Sequence, residues 1–139
     1  MPARRQFLVV DFHAESRFLL VRTLLRKFPG ALIHECDDAD KAVALAHEVR
    51  FSAIVTHRTF ETSGADLVRQ FRTADARVPI IMVSGVDRER SALEAGADSF
   101  LHYDEWLRIG SVVEAHLTDR EEGGVAPPGQ EGRSGLWPT

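Results

Sequence analysis

The segment QFLVVDFH, Gln6–His13, decides the fold expected for this chain. Its apolar run from Phe7 to Val10 is continuous rather than alternating, which is typical of a strand buried on both faces of a parallel sheet. The run ends abruptly at Asp11, and Phe12 follows where a metal or phosphate site would have a second acid. The segment therefore predicts a buried strand that brings a single carboxylate to the edge of a sheet.

Helical and strand-like patterns alternate from residue 6 to residue 117. After the first strand, five apolar residues recur at three- and four-residue steps on one helix face: Phe18, Val21, Leu24, Leu25 and Phe28. Pro29-Gly30 ends that helix. Further strands are predicted at residues 31–34, 52–56, 79–84 and 99–103, each followed by a helix. Three aspartates are predicted helix caps, namely Asp38, Asp87 and Asp104, and Gly96 fits a left-handed helix end.

Strands that alternate with helices through short connections predict an α/β fold with a parallel sheet covered on both faces. Right-handed crossovers make the flavodoxin-like, doubly wound strand order 2-1-3-4-5 the leading topology for five strands. Ligands in such sheets bind at the carboxyl ends of the strands, beside strands one and three. Asp11 ends strand one and Thr56 ends strand three, so the candidate site is expected at these residues.

The composition favours a soluble protein with a single domain. The chain has 139 residues and a formal net charge of −4 without a basic stripe, so nucleic acid is not an expected partner. A single cysteine, Cys36, excludes an internal disulfide and fits a reducing cytoplasm. Neither a signal pattern nor an apolar run of the ~20 residues that cross a bilayer is present, so a cytoplasmic location without membrane contact is expected.

The composition changes after Leu117. Residues 118–139 are rich in glycine, proline and charge and have almost no periodic apolar residues. This pattern predicts a flexible tail that follows a domain at residues 1–117. Trp137 in the tail is either a short anchor for a partner or an incidental aromatic residue.

Several segments of the chain resemble the receiver domains of two-component response regulators, which have the CheY-like fold. The resemblance rests on FLVVD at 7–11, SAIVT at 52–56 followed by Gly64, PIIMVSG at 79–85 and ALEAGADSFL at 92–101. The last segment is the most specific, and the resemblance extends from Phe7 to Leu117. It implies the same doubly wound fold as the pattern of strands and helices.

In this family a histidine kinase transfers a phosphoryl group to an aspartate at the end of strand three. The resemblance implies two further acids after strand one that hold Mg²⁺ with the acceptor, a hydroxyl at the end of strand four and a lysine after strand five. Asp11 and Ser84 match two of these positions. The second acid is replaced by Phe12, the acceptor by Thr56 and the lysine by Tyr103.

The resemblance also concerns the switch of the family, in which an aromatic residue on strand five responds to the strand-four hydroxyl. Phe100 keeps the aromatic position, but without a phosphoryl group nothing biases Ser84 toward one state. The segment from Ser84 to Ala97 is shorter than in the family, which predicts a short fourth helix. Asp104 replaces the proline that usually follows the lysine, so a trans peptide is expected after Tyr103.

These departures predict a degenerate receiver, or pseudo-receiver, that is not an enzyme and acts by protein–protein interaction without aspartyl phosphorylation. Mg²⁺ binding is expected to be weak or absent, because one carboxylate cannot supply an oxygen-rich shell, and no other cofactor is expected. Phe12 either fills the space of the missing metal or packs as an ordinary loop aromatic. The expected partners are signalling proteins, and a homodimer is allowed because family members pair through their fourth and fifth helices.

Two alternative hypotheses use other side chains near the strand ends. Asp11 with the loop histidines His13 and His57 could bind a transition metal or a small ligand, since imidazole with one carboxylate suits Zn²⁺ better than Mg²⁺. Residual, non-standard phosphoryl regulation would instead need a carboxylate from a loop. The candidates for that role are Glu15, Glu61 and Asp104.

Overall fold

The computed structural model describes residues 4–59 and 62–125. Its strands are β1 (Gln6–Val10), β2 (Leu32–Cys36), β3 (Ala53–Thr56), β4 (Ile80–Ser84) and β5 (Ser99–His102). They form one parallel sheet in the order β2-β1-β3-β4-β5. The predicted α/β doubly wound topology is therefore confirmed.

Helices cover both faces of this sheet. They are α1 (Ala14–Lys27), α2 (Ala39–Glu48), α3 (Gly64–Ala74), α4 (Glu89–Ala95) and α5 (Ile109–Val125), with a 3-10 helix, Tyr103–Arg108, before α5. Residues of α1 and α5 pack on one face, called here the α1–α5 side, and residues of α2, α3 and α4 pack on the other, the α2–α4 side. Within the described residues, no helix combines the length and the hydropathy needed to cross a bilayer.

Strand β1 is buried on both sides, as its continuous apolar sequence predicts. Leu8 and Val10 belong to the core on the α2–α4 side, whereas Phe7 and Val9 belong to the core on the α1–α5 side. All four side chains are fully buried. Because the faces alternate along a strand, the next residue after β1, Asp11, turns to the α1–α5 side.

Helix α1 buries the predicted apolar face except for one residue, Phe18. Ser16, Leu20 and Leu24, spaced four residues apart, are buried, whereas the side chain of Phe18 is 57% exposed. The prediction that Phe18 points inward is therefore wrong. Two residues along a helix turn by about 200°, so Phe18 lies nearly opposite Leu20. The guanidinium of Arg22 lies over the exposed ring, 5.5 Å from its centroid.

The predicted boundaries of α2 and α4 agree with the structure at two special residues. Asp38 caps α2, because its Oδ1 accepts a hydrogen bond of 2.9 Å from the N–H of Lys41. Gly96 ends α4 in the left-handed region with φ of 116°. Helix α4 has only seven residues, so the predicted short fourth helix is confirmed.

Two of the predicted helix caps are wrong. Arg88 takes the cap position of α4, and Asp87 instead accepts a hydrogen bond of 3.1 Å from the N–H of Glu89. Asp104 lies inside the 3-10 helix, whose cap is His102: its Nδ1 accepts a hydrogen bond of 3.2 Å from the N–H of Asp104. The residues predicted to begin the last helix therefore form the 3-10 helix instead, and α5 begins at Ile109.

The C-terminal part of the fold is longer than predicted. Helix α5 continues to Val125, beyond the domain boundary predicted at Leu117. Trp137 lies outside the described residues, and so does Glu61. The described backbone has no cis peptide bond, which agrees with the trans peptide expected after Tyr103.

Candidate functional site

The carboxyl ends of the strands bring the candidate residues of the sequence to one edge of the sheet. Strand β1 pairs with β3 so that Val10 lies beside Thr56, and the next residues, Asp11 and His57, are neighbours. The backbone continues this pairing, since the N–H of His57 donates to the carbonyl of Val10 at 2.9 Å. Corresponding residues of adjacent parallel strands point to the same side of a sheet. The side chains of Asp11 and His57 therefore meet on the α1–α5 side.

The carboxylate of Asp11 is fully buried and binds three donors of the protein. Oδ1 accepts from the N–H of His13 at 3.0 Å, and Oδ2 accepts from the Ser16 hydroxyl and lies 3.0 Å from Nδ1 of His57. Burial raises the pKa of Asp11, but the hydrogen bonds from His57, Ser16 and the His13 N–H outweigh it, so the pKa lies below its usual value. Asp11 is therefore ionised at neutral pH.

His57 is held between Asp11 and Tyr103. Its side chain is 2% exposed. Its ring stacks on the ring of Tyr103, with centroids 4.8 Å apart and planes 8° from parallel. Because an ionised carboxylate only accepts hydrogen bonds, Nδ1 of His57 must carry the proton it shares with Asp11. Burial raises the pKa of the Tyr103 phenol, and the nearby Asp11 charge adds to the effect, so Tyr103 is neutral at physiological pH.

Thr56 is separated from this group by the sheet itself. Its neighbours in register are Val10 and Met82, both in the core on the α2–α4 side. Its side chain is 1% exposed. Among the described residues its hydroxyl makes no hydrogen bond. Thr56, which the resemblance predicts at the phosphoacceptor position, is thus a buried core threonine.

Phe12 packs as a loop aromatic against the segment after β3. Its N–H donates to the carbonyl of Arg58 at 2.8 Å, and the guanidinium of Arg58 lies over its ring, 5.5 Å from the centroid. The ring also makes an edge contact with His13, at a centroid distance of 6.3 Å. These contacts favour the second of the two roles predicted for Phe12.

Ser84 and Phe100 are the residues that the sequence resemblance predicts at the switch positions of a receiver. Oγ of Ser84 accepts a hydrogen bond of 3.1 Å from the N–H of Val86, which fixes it within its own loop. Phe100 is half-buried and packs against the core on the α2–α4 side. Both residues lie away from Asp11 and His57, which face the α1–α5 side.

The structure brings together only part of the predicted metal set. Asp11 and His57 are in contact, but Nδ1 of His13 accepts from the N–H of Ser16 at 3.4 Å and so serves as the cap of α1. In the described part of the chain, no three His, Cys, Asp or Glu side chains form a group able to hold a metal ion. Asp104, one of the loop acids considered as a substitute carboxylate, is 87% exposed and lies 3.5 Å from His102 rather than near Asp11.

Sequence reasoning missed one residue of the site, Ser16, and one contact, that of His57 with Tyr103. Ser16 was overlooked because a serine in the first turn of a helix is a common surface residue, yet here its hydroxyl binds Asp11. The contact of His57 with Tyr103 joins residues that follow β3 and β5, strands that are not neighbours in the sheet. The strand register gave a signal for only one contact of the site. Aligning the ends of β1 and β3 places His57 beside Asp11.

Comparisons with known proteins support the fold. No family model matches the chain, and no curated protein matches it. Solved structures match well. A CheY-like receiver domain protein from Methanospirillum hungatei JF-1 is 18% identical with a TM-score of 0.75, and the match covers 88% of this chain and 100% of that one.

Two further structures are similar. A two-component response regulator of the LuxR family from Aurantimonas sp. SI85-9A1 is 22% identical with a TM-score of 0.73, over 84% of this chain and 87% of that one. The receiver domain of the sensor histidine kinase PA1611 from Pseudomonas aeruginosa PAO1 is 22% identical with a TM-score of 0.69, over 84% of this chain and 99% of that one. At these identities the likeness concerns the fold, and the chain has the CheY-like receiver fold.

Proposed function

We propose that this chain is a pseudo-receiver, a protein-binding module of a two-component or phosphorelay-type signalling system that works without aspartyl phosphorylation. The observation that carries the proposal is the state of Asp11, whose carboxylate already binds three donors of the protein. A receiver uses this acid to hold a metal ion, whereas here the protein itself satisfies it.

Mg²⁺ binding at this position is unfavourable for electrostatic reasons. Mg²⁺ requires a near-octahedral shell of oxygen ligands, in which carboxylates supply the charge. Of the three acids expected from the family, only Asp11 is present, because Phe12 and Thr56 replace the others. Moving Asp11 onto a metal would also take the acceptor away from the buried Nδ1–H of His57, at a cost of about 1–3 kcal/mol.

Thr56 is a poor substitute for the missing acceptor. A threonine hydroxyl becomes a nucleophile only when an adjacent base removes its proton. The nearest candidate base in sequence, His57, binds Asp11 on the opposite side of the sheet. With 1% exposure, Thr56 is also out of reach of a phosphoryl donor. We therefore infer that the module does not catalyse phosphotransfer.

Exposed apolar side chains support protein binding as the remaining activity. Val86, Leu93 and Leu107 are all exposed, and they lie in the loop before α4, on α4 and in the 3-10 helix. Helix α4 and the 3-10 helix lie on opposite faces of the sheet, and both contact its edge strand β5. Exposed apolar residues that flank one edge of a sheet favour an interaction surface there. A signalling protein is the proposed partner, and a second copy of this chain is the alternative occupant of the surface.

The proposal is tested by NMR titration of the full chain with MgCl₂, followed by beryllofluoride, which mimics a bound phosphoryl group. We expect no shifts of the amides of Asp11, Thr56, Ser84 and Phe100 at millimolar Mg²⁺. The Pseudomonas receiver domain, whose structure has a magnesium ion coordinated in its active-site cleft, is the positive control.

The opposite result would be saturable shifts that cluster at the strand ends. If Asp11→Asn abolishes such shifts, Asp11 binds the ion and the pseudo-receiver proposal is wrong. Incubation with acetyl phosphate and Mg²⁺, followed by intact-mass measurement, gives a second readout. We expect no gain of a phosphoryl group, and a stoichiometric gain would also overturn the proposal.

A further inference from the structure

We propose that Asp11, His57 and Tyr103 form a built-in strand-end lock that holds the segment after β5 in one arrangement and so presets the partner-binding surface. The lock rests on the proposed function, because it takes the place of the link that a phosphoryl group and a lysine would form between the strand ends of a receiver. In this role His57 and Tyr103 are positioning residues.

The lock connects three strands that are not all neighbours. Asp11 follows β1, His57 follows β3 and Tyr103 follows β5. Because β4 lies between β3 and β5 in the sheet, the stacked pair of rings spans the end of β4. The contact therefore ties the β5 end of the sheet to its centre through side chains, in addition to the backbone pairing of the strands.

Each contact in the lock constrains the next one. The carboxylate of Asp11 is itself fixed by Ser16 and the His13 N–H, so it cannot rotate away from His57. The hydrogen bond from Nδ1 of His57 to Asp11 sets the plane of the imidazole. The nearly parallel stack then sets the plane of the Tyr103 ring, at 8° from that of His57.

Tyr103 passes this constraint to the surface because it is the first residue of the 3-10 helix Tyr103–Arg108. Trp106 in the same helix is half-buried and packs with Tyr103 against the core on the α1–α5 side. Leu107, the next residue, is 64% exposed. A change at Tyr103 should therefore move both Trp106, which packs on the core, and Leu107, which lies on the proposed binding surface.

The lock can be tested in the full chain with the fluorescence of Trp106. The chain has two tryptophans, so a Trp137→Phe background leaves Trp106 as the single emitter. Tyr103→Ala removes the stacked ring, and Tyr103→Phe is the matched control that keeps it. We expect Tyr103→Ala to red-shift the Trp106 emission and to increase hydrogen exchange of the amides in the 3-10 helix about tenfold or more. Tyr103→Phe should match the parent in both measurements.

His57→Asn provides a second, independent variant in case Tyr103→Ala fails to fold. The side-chain amide of asparagine lies where Nδ1 of histidine lies, so it can still donate to Asp11, but it offers no ring to stack on Tyr103. We expect it to give the same red-shift and faster exchange in the 3-10 helix, with unchanged exchange in α2 and α3. The proposal is overturned if the foldable variants leave both signals at the parent values, or if Tyr103→Phe changes them as much as Tyr103→Ala does.

These outcomes are separate from those of the metal titration. Both proposals are supported if the variants loosen the 3-10 helix and the parent chain shows no shifts with Mg²⁺. Mg²⁺-dependent shifts in the parent chain would overturn the pseudo-receiver proposal, whether or not Tyr103→Ala loosens the 3-10 helix. Unchanged fluorescence and exchange in the variants would overturn the lock alone.

Discussion

The Asp11 carboxylate and the His57 imidazole are 46 positions apart in the chain, and Oδ2 of Asp11 lies 3.0 Å from Nδ1 of His57. A buried carboxylate next to hydrophobic strands would be costly on its own, because burial disfavours the charged form. The hydrogen bonds from His57, Ser16 and the His13 N–H compensate for that cost and keep the pKa of Asp11 low. Asp11 therefore has a structural role, in which its carboxylate accepts hydrogen bonds from three groups of the protein.

The stability of the protein should fall in acid partly because of Asp11. Its pKa is lower in the folded than in the unfolded chain, so its stabilising effect is complete above the unfolded value near 3.8 and is lost as pH falls through the folded value. Asp11→Asn should lower the free energy of unfolding at pH 7 and flatten its decline between neutral and acid pH. Urea unfolding at a series of pH values measures both effects.

Asp104→Asn is the control for this measurement, since the Asp104 side chain is 87% exposed. It should leave the shape of the pH profile unchanged. If Asp11→Asn has the same acid limb as the parent, the hydrogen bonds to Asp11 do not contribute to acid stability and the assignment of its low pKa is wrong.

Replacing Thr56 by valine should stabilise the protein. The Thr56 hydroxyl lies among apolar neighbours and makes no hydrogen bond among the described residues, so its burial costs about 1–3 kcal/mol. Valine has the same shape and suits a strand, so Thr56→Val should raise the free energy of unfolding by about 1 kcal/mol. Chemical denaturation gives the value.

Thr56→Ser and Thr56→Asp are the control variants for Thr56→Val, and both should lower the free energy of unfolding. Serine keeps the hydroxyl and loses a buried methyl group, and should destabilise by about 1 kcal/mol. Aspartate at the same place introduces a buried, unpaired carboxylate and should destabilise by several kcal/mol. A valine variant that is clearly less stable than the parent would mean that the hydroxyl has a partner after all.

Gly96→Ala should destabilise the protein through the end of α4. Gly96 has φ of 116°, and a Cβ there would lie 3.0 Å from Cγ of Arg72, whose Nε donates to the Gly96 carbonyl at 2.8 Å. Strain in this backbone region costs about 1–3 kcal/mol, and a similar loss is expected. A thermal melt compared with the parent measures it.

Gly30→Ala is the matched control for Gly96→Ala. A Cβ at Gly30 would have no heavy atom within 4 Å, and the backbone there is outside the left-handed region. Its effect should be small, within about 1 kcal/mol and in the stabilising direction. Equal losses at both glycines would contradict the role assigned to the conformation of Gly96.

The orientation of α1 predicts a large loss of stability at one of its apolar residues and almost none at another. Leu20 is fully buried, and Leu20→Ala should destabilise by about 2–5 kcal/mol. Phe18 is 57% exposed, and Phe18→Ala should change the free energy of unfolding by no more than about 0.5 kcal/mol. Denaturant unfolding of the two variants decides the question. A larger loss for Phe18 than for Leu20 would mean that Phe18 points into the core, as the sequence predicted.

The elements that the sequence predicted correctly are those with strong local signals. Buried parallel strands have continuous apolar runs, and the caps at Asp38 and Gly96 each depend on one residue and its neighbours. The position of the site followed from the topology alone, because parallel strands end at one edge. That Phe12, Thr56 and Tyr103 replace functional residues of receivers depends on the resemblance alone and stays a prediction.

The errors occurred where tertiary contacts decide between local alternatives. Spacing alone placed Phe18 on the buried face of α1, whereas in the structure Leu20 is buried and Phe18 is exposed. His102 and Asp104 are both able to cap a helix, and the 3-10 path after β5 selects His102. The contact of His57 with Tyr103 depends on side chains reaching past β4, which no local pattern encodes.

Strand β2 is an edge strand of the sheet, and a charged residue on it opposes aggregation. Its outer main-chain groups are free to pair with another chain, which is a known hazard of exposed sheet margins. Glu35 places a charge on that strand and is paired with Arg17 at 3.1 Å. Charge at this margin opposes edge-to-edge growth into fibrils, so we expect the protein to stay dispersed at concentrations where a Glu35→Val variant precipitates.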